Sequence, residues 1–229
     1  MYEKLMLLAI IVFICILVIY LNNRSLPLTP STFLALGDSY TIGEGVAIYE
    51  SFSYQTVQLL RKAGHSFNAP EMVAKTGWTT GDLNNGIKDT VLQSSYDVVS
   101  LLIGVNNQYR KLSLNEYALE FEQLIRQAIR LAADKPDHVF VFSIPNWSVT
   151  PFAKRMSGEQ LAGEIDAFNH VNEDIARQYH ARYLSITWNT RDAASDESLL
   201  TADALHPSGK EYARWANLLA EEILRTLVR

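Results

Sequence analysis

Two hydrophobic rhythms alternate along the chain. Short, nearly continuous apolar runs recur at residues 33–36, 71–74, 98–103, 138–144 and 182–186. The third and fourth are apolar almost throughout, as strands covered on both faces are. Between the runs lie longer segments with helical spacing. Leu161, Ile165, Phe168, Ile175 and Tyr179 fall on one stripe; Tyr212, Trp215, Leu219, Ile223 and Leu227 fall on another. Three places match the capping-box pattern, in which a hydroxyl residue is followed three positions later by Glu or Gln: Ser113 with Glu116, Ser157 with Gln160, and Ser208 with Glu211. Strand and helix alternating across one domain predict a three-layer α/β/α, flavodoxin-like fold with a mainly parallel five-stranded sheet. Right-handed crossovers then place helices on both faces.

The pattern differs before residue 32. Residues 5–21, LMLLAIIVFICILVIYL, carry no charge and no strong hydrogen-bonding side chain. At about 1.5 Å per residue they make roughly 25 Å of helix, near the lower limit for a bilayer. A cleaved signal peptide would need small residues after the apolar core, whereas this one exits through Tyr20, Leu21 and Asn22. A single-pass transmembrane anchor is the expectation, with a signal peptide as the alternative. Lys4 and Arg24 flank the segment evenly, so basic residues do not set its orientation. The short N-terminal tail favours an extracytoplasmic domain. Residues 22–31, with Pro27 and Pro30, read as a linker to a domain over 32–229.

Composition narrows the picture in two ways. A formal net charge of −5 and a pI near 5.5 argue against nucleic acid, which needs a basic face. Cys15 is the only cysteine, so no intramolecular disulfide forms and the redox compartment is not indicated.

The candidate chemistry lies at the ends of the predicted strands, where ligands bind in open α/β sheets. Ser39 follows the first run in Gly37-Asp38-Ser39, Gly77 the second, and Asn106 the third; Asp203 and His206 lie between the fifth run and the last helix. A serine becomes a good nucleophile when a histidine takes its proton and a carboxylate orients the ring. Ser39, His206 and Asp203 supply those three parts. Asp38 is read as loop structure. No pattern calls for a metal, a nucleotide or a flavin, and no cofactor is expected.

These four blocks resemble those of the SGNH hydrolases, the GDSL esterase/lipase family, from about Phe33 to the C-terminus. The Ser, Gly, Asn and His of the family name fall on Ser39, Gly77, Asn106 and His206, with the aspartate three residues before the histidine and Pro207 after it. Two positions depart: the first block reads GDSY, and Asn107 stands where an acid is frequent. The resemblance implies an oxyanion hole formed by the backbone N–H groups of Ser39 and Gly77 and the side-chain amide of Asn106. It also implies ester hydrolysis through an acyl-enzyme. Trp78, Trp147 and Phe152 are the candidate substrate-binding residues. The expected substrate is a small ester, with a lysophospholipase/esterase type favoured and O-deacetylation of an envelope glycan as the alternative. A membrane-tethered binding module without turnover is the alternative of another class.

Overall fold

The computed structural model describes Met6, residues 29–154 and residues 156–227. Residues 31–229 form one compact unit. The expected anchor over 5–21 lies outside the described residues, Met6 apart. Among the described residues no helix is long and apolar enough to cross a membrane.

The sheet contains β1 (Phe33–Gly37), β2 (Glu71–Ala74), β3 (Val98–Leu102), β4 (Val139–Phe142) and β5 (Arg182–Leu184). Its order is β2-β1-β3-β4-β5, and every pairing is parallel. The predicted parallel α/β architecture is thus found. β1, β3 and β4 are buried along their whole length, while the edge strands β2 and β5 are partly exposed, which explains why the three central strands read as nearly continuous apolar runs, broken within β3 only by Ser100.

Helices fill the crossovers. A short α1 (Ser39–Ile42) and α2 (Phe52–Lys62) lead from β1 to β2, and α3 (Thr80–Asp89) leads back across to β3. The short α4 (Val105–Tyr109) and α5 (Leu114–Leu131) connect β3 to β4, α6 (Gly158–Gln178) connects β4 to β5, and α7 (Thr187–Thr190) and α8 (Gly209–Leu227) follow. Because the first crossover runs the opposite way from the others, right-handedness puts α2 on one face and α3, α5 and α6 on the other. α8 packs along α2, and α5 packs against both α3 and α6. Both predicted stripes face inward: Leu161, Ile165 and Phe168 on α6 and Tyr212, Trp215, Leu219 and Ile223 on α8 are buried.

Local details differ from the sequence expectation for identifiable reasons. Ser31 belongs to the domain and not the linker, since its N–H donates to the Ser66 carbonyl and its own carbonyl accepts from Asn68. The last three strands end earlier than their apolar runs. Ile144 N–H donates to Asn169 Oδ1 and Ile186 N–H to Ser143 Oγ, so side chains replace the ladder there. Of the three expected boxes only Ser113 caps, accepting from Asn115 N–H. Ser157 makes no cap bond, and Ser208 donates to the Ser198 carbonyl. A reciprocal box does form at the start of α3, where Thr79 accepts from Asp82 N–H and Asp82 from Thr79 N–H. Its third-position acid is Asp, outside the Glu/Gln rule used for the search.

Candidate active site

The strand order reverses at β1, so the carboxyl ends of β1 and β3 open a crevice there. Gly37 ends β1 and α1 begins two residues later. Asp38 shapes this turn, its Oδ1 accepting from Tyr40 N–H at 3.0 Å. Ser39 therefore sits at the mouth of the crevice. Its Oγ lies 3.0 Å from His206 Nε2, and His206 Nδ1 lies 2.6 Å from Asp203 Oδ2. The remaining Asp203 oxygen accepts from the backbone N–H groups of Leu205 and His206, each at 2.9 Å, and from the Thr201 hydroxyl at 2.7 Å. Burial alone would raise the Asp203 carboxyl. The bonds from the His206 ring, the His206 and Leu205 amides and Thr201 outweigh it and hold the group well below the usual carboxylate range. An anionic partner makes His206 Nδ1 the donor and leaves Nε2 to accept from Ser39. Tyr40, the residue in the variable position after Ser39, packs its ring 5.5 Å from the imidazole and 6.2 Å from Trp215.

Ser39, Gly77 and Asn106, which border one crevice, contribute three N–H groups to it. Gly77 has φ of 81°, a conformation that L side chains rarely adopt. Among the protein's own atoms an added Cβ would meet only Arg110, at an ordinary 3.4 Å. The glycine is required by its dihedral angle. Arg110 Nη2 donates to the Gly77 carbonyl at 2.5 Å and so fixes this peptide. Among the described residues the amides of Ser39 and Gly77 have no acceptor. Asn106 Nδ2 donates to the Trp78 carbonyl at 2.9 Å and lies 3.5 Å from Asp38 Oδ2. One amide hydrogen is thereby anchored, and the other is held only weakly. Asn107 points elsewhere: its Oδ1 accepts from Thr80 N–H at 3.0 Å and its Nδ2 donates to Thr80 Oγ1 at 2.7 Å. Asp38 itself is 1% exposed, and burial pushes its carboxyl up to about 7 against the pull of the Tyr40 amide. A fully charged carboxylate beside this site would repel an oxyanion; the raised value lessens that penalty.

Ser39, Gly77, Asn106 and His206 all border one open pocket of about 220 Å³. Its other walls include Tyr40, Val105, Tyr109, Trp147, Phe152 and Leu205. Of the expected substrate-binding residues, Trp147 and Phe152 are in place, their rings 6.1 Å apart. Trp78 is not. Its ring lies over Gly86 of α3, where a Cβ would come within 2.3 Å of it, and only its carbonyl serves the site. Tyr109, Leu205 and Arg110 escaped the sequence reading. Tyr109 and Arg110 lie about one helical turn beyond Asn106 and Leu205 adjoins His206, so proximity to the motifs was the available signal.

A family model described as the GDSL-like lipase/acylhydrolase family matches residues 35–214. No curated protein matches the sequence. Among solved structures, the lipase/acylhydrolase from Enterococcus faecalis is similar at 18% identity and a TM-score of 0.67, covering 84% of this chain and 95% of that one. The psychrotrophic esterase EstA from a Pseudoalteromonas species is similar at 16% identity and a TM-score of 0.66, over 87% and 100% of the two chains. An acetylxylan esterase from Geobacillus stearothermophilus is similar at 18% identity and a TM-score of 0.65, over 84% and 94%. These likenesses concern the fold.

Proposed function

The chain belongs to the GDSL-like lipase/acylhydrolase family, whose members act on ester bonds, and from that premise we propose that it is a serine esterase with Ser39 as nucleophile. The observation that carries this reading is the continuous relay Asp203–His206–Ser39, with contacts of 2.6 and 3.0 Å. His206 takes the Ser39 proton as Oγ attacks the ester carbonyl and returns it to the leaving alcohol. Water, activated by the same ring, then releases the acyl group. Negative charge develops on the carbonyl oxygen in both steps. The amides of Ser39 and Gly77 and the second N–H of Asn106 are the donors proposed to receive it.

Two kinds of alcohol suit the cleft. Apolar walls at Val105, Phe152 and Leu205 support a lysophospholipid or simple ester. The half-exposed ring of Tyr109 supports a glycan, and the solved relatives include acetylxylan esterases. Residues 5–21 are proposed to anchor the domain in a membrane as a single pass, with the domain outside the cytoplasm, on the strength of their uninterrupted apolar sequence. The test of the activity is hydrolysis of p-nitrophenyl esters graded from acetyl to palmitoyl. Turnover that disappears in Ser39→Ala is expected. Absence of turnover on every ester would leave the binding-module reading standing instead.

A further inference from the structure

Beyond the ring pair Tyr109–Trp147 lies a second cavity, of about 180 Å³, which shares both side chains with the catalytic pocket. Its character is different. Trp147 Nε1 donates to Gln108 Oε1 at 3.0 Å, Gln108 Nε2 donates to Glu164 Oε2 at 2.9 Å, and Gln160 Nε2 donates to Glu164 Oε1 at 2.9 Å. Gln108 is 3% exposed, so this amide is a built part of the wall. It ties the orientation of Trp147, a wall of the catalytic pocket, to the carboxylate of α6. The Gln160 and Gln108 bonds, with the Lys111 charge nearby, hold Glu164 below its usual range, hence ionised. A carboxylate has about four acceptor positions; two are used among the described residues, and Glu164 is only partly buried. Tyr109, 50% exposed, makes a T-shaped contact with Trp147 at 5.7 Å, so about half of its surface stays open to a ligand.

We propose that this cavity is the subsite for the alcohol half of the substrate, and that the alcohol is a sugar ring carrying an O-acyl group. The inference rests on the esterase reading and decides between its two alcohols. A carboxylate with free acceptor positions and flanking amides accepts and donates to adjacent hydroxyls, while the half-exposed tyrosine ring covers the C–H side of a pyranose. A lysophospholipid headgroup fits less well. Its phosphodiester would lie against the Glu164 anion, with Lys111 the one cation among the described residues that line the cavity. A quaternary ammonium needs aromatic faces around it, and Trp147, 3% exposed with its N–H engaged, leaves only Tyr109 to offer one.

The test compares p-nitrophenyl acetate, glucose pentaacetate and acetyl-glycerophosphocholine as substrates of the full chain and of Glu164→Ala and Gln160→Ala, with melts to establish folding. Wild type should prefer the sugar acetate to the phosphocholine ester. The ratio of kcat/KM for the sugar acetate over p-nitrophenyl acetate should fall about tenfold in Glu164→Ala, through KM, as expected for a lost hydrogen bond to a charged group. Gln160→Ala should move the ratio in the same direction. Calorimetric binding of cellobiose that is present in wild type and lost in Glu164→Ala would support the subsite without any turnover. If no ester were cleaved but cellobiose bound in this way, the Ser39 reading would fail and the subsite would stand. An unmoved ratio in both variants, or a preference for the phosphocholine ester that Glu164→Ala abolishes, overturns the proposal.

Discussion

The two adjacent asparagines divide their labour by the direction in which each side chain is held. Asn106 faces the cleft with one N–H fixed on the Trp78 carbonyl, whereas Asn107 is clamped at both ends on Thr80. Asn106→Ala should therefore lower kcat by about 10²–10³ with little change in KM, the usual cost of losing one oxyanion donor. Asn107→Ala should cost about 1–3 kcal/mol of stability, because it strands Thr80 N–H at the start of α3, and should affect kcat less. Kinetics and melts of both variants check this; a crippled Asn107→Ala beside a nearly normal Asn106→Ala would exchange the roles. Asp38 makes a separate prediction. Its carboxyl is raised from 3.8 to about 7 by burial, so the folded state favours the protonated acid. Its contribution to stability is complete below the unfolded value and is lost as pH rises through about 7. Asp38→Asn removes that loss, and its melting temperature relative to wild type should climb by several degrees between about pH 5 and pH 9. A constant difference would show that Asp38 does not titrate there. At this scale Ser39, Gly77 and Asn106 were legible as candidates because each follows a strand, and Asp203 and His206 because their three-residue spacing precedes the last helix. The direction of the Trp78 ring was not, since it depends on the space above Gly86, two turns into another element.

Elements were legible where burial is two-sided. β1, β3 and β4 announce themselves because both of their faces are covered, and the stripes of α6 and α8 do so through their spacing. Strand ends and caps were less legible. Ile144 and Ile186 continue the apolar runs, yet their N–H groups bond to side chains that the local sequence does not reveal. The junction of β1 with β3 is where element packing reaches the chemistry. A Cβ on Gly37 would lie 2.3 Å from the Leu102 carbonyl and 2.1 Å from Thr41 Oγ1. Gly37 and Leu102 are register partners, so the carbonyl cannot withdraw without opening the ladder. Gly37→Ala should destabilise the domain by about 3 kcal/mol and displace Ser39, lowering kcat as well. Chemical denaturation and a kinetic assay check it together; a variant of normal stability and rate would mean that the strand end adjusts freely.

For the whole molecule, the parallel sheet with its helical crossovers followed from the alternation of patterns, since parallel strands need helical connections of one hand; the order β2-β1-β3-β4-β5 came from the structure. The proposed sugar subsite did not follow, because the second cavity is assembled from α4 and α6, whose relevant residues lie more than fifty positions apart in sequence. The proposed anchor rests on the uninterrupted apolar sequence of residues 5–21. It predicts that the full chain sediments with membranes and resists high salt, which removes charge-held proteins but not inserted helices. A version beginning at Pro30, just ahead of the compact unit from Ser31, should be soluble and active. Full-length preparations recovered in the soluble fraction without the first residues would identify a cleaved signal peptide.

Among the described residues we propose that Ser39 alone combines a base, His206, with a set of oxyanion donors. A fluorophosphonate probe followed by intact-mass measurement tests it most directly, because such a probe phosphonylates an activated serine through the same attack that opens an ester. One label per molecule, mapped to the peptide containing Ser39 and absent from folded Ser39→Ala and His206→Ala, is the predicted result. Labelling that persists in Ser39→Ala, or that settles on another serine, would contradict the account.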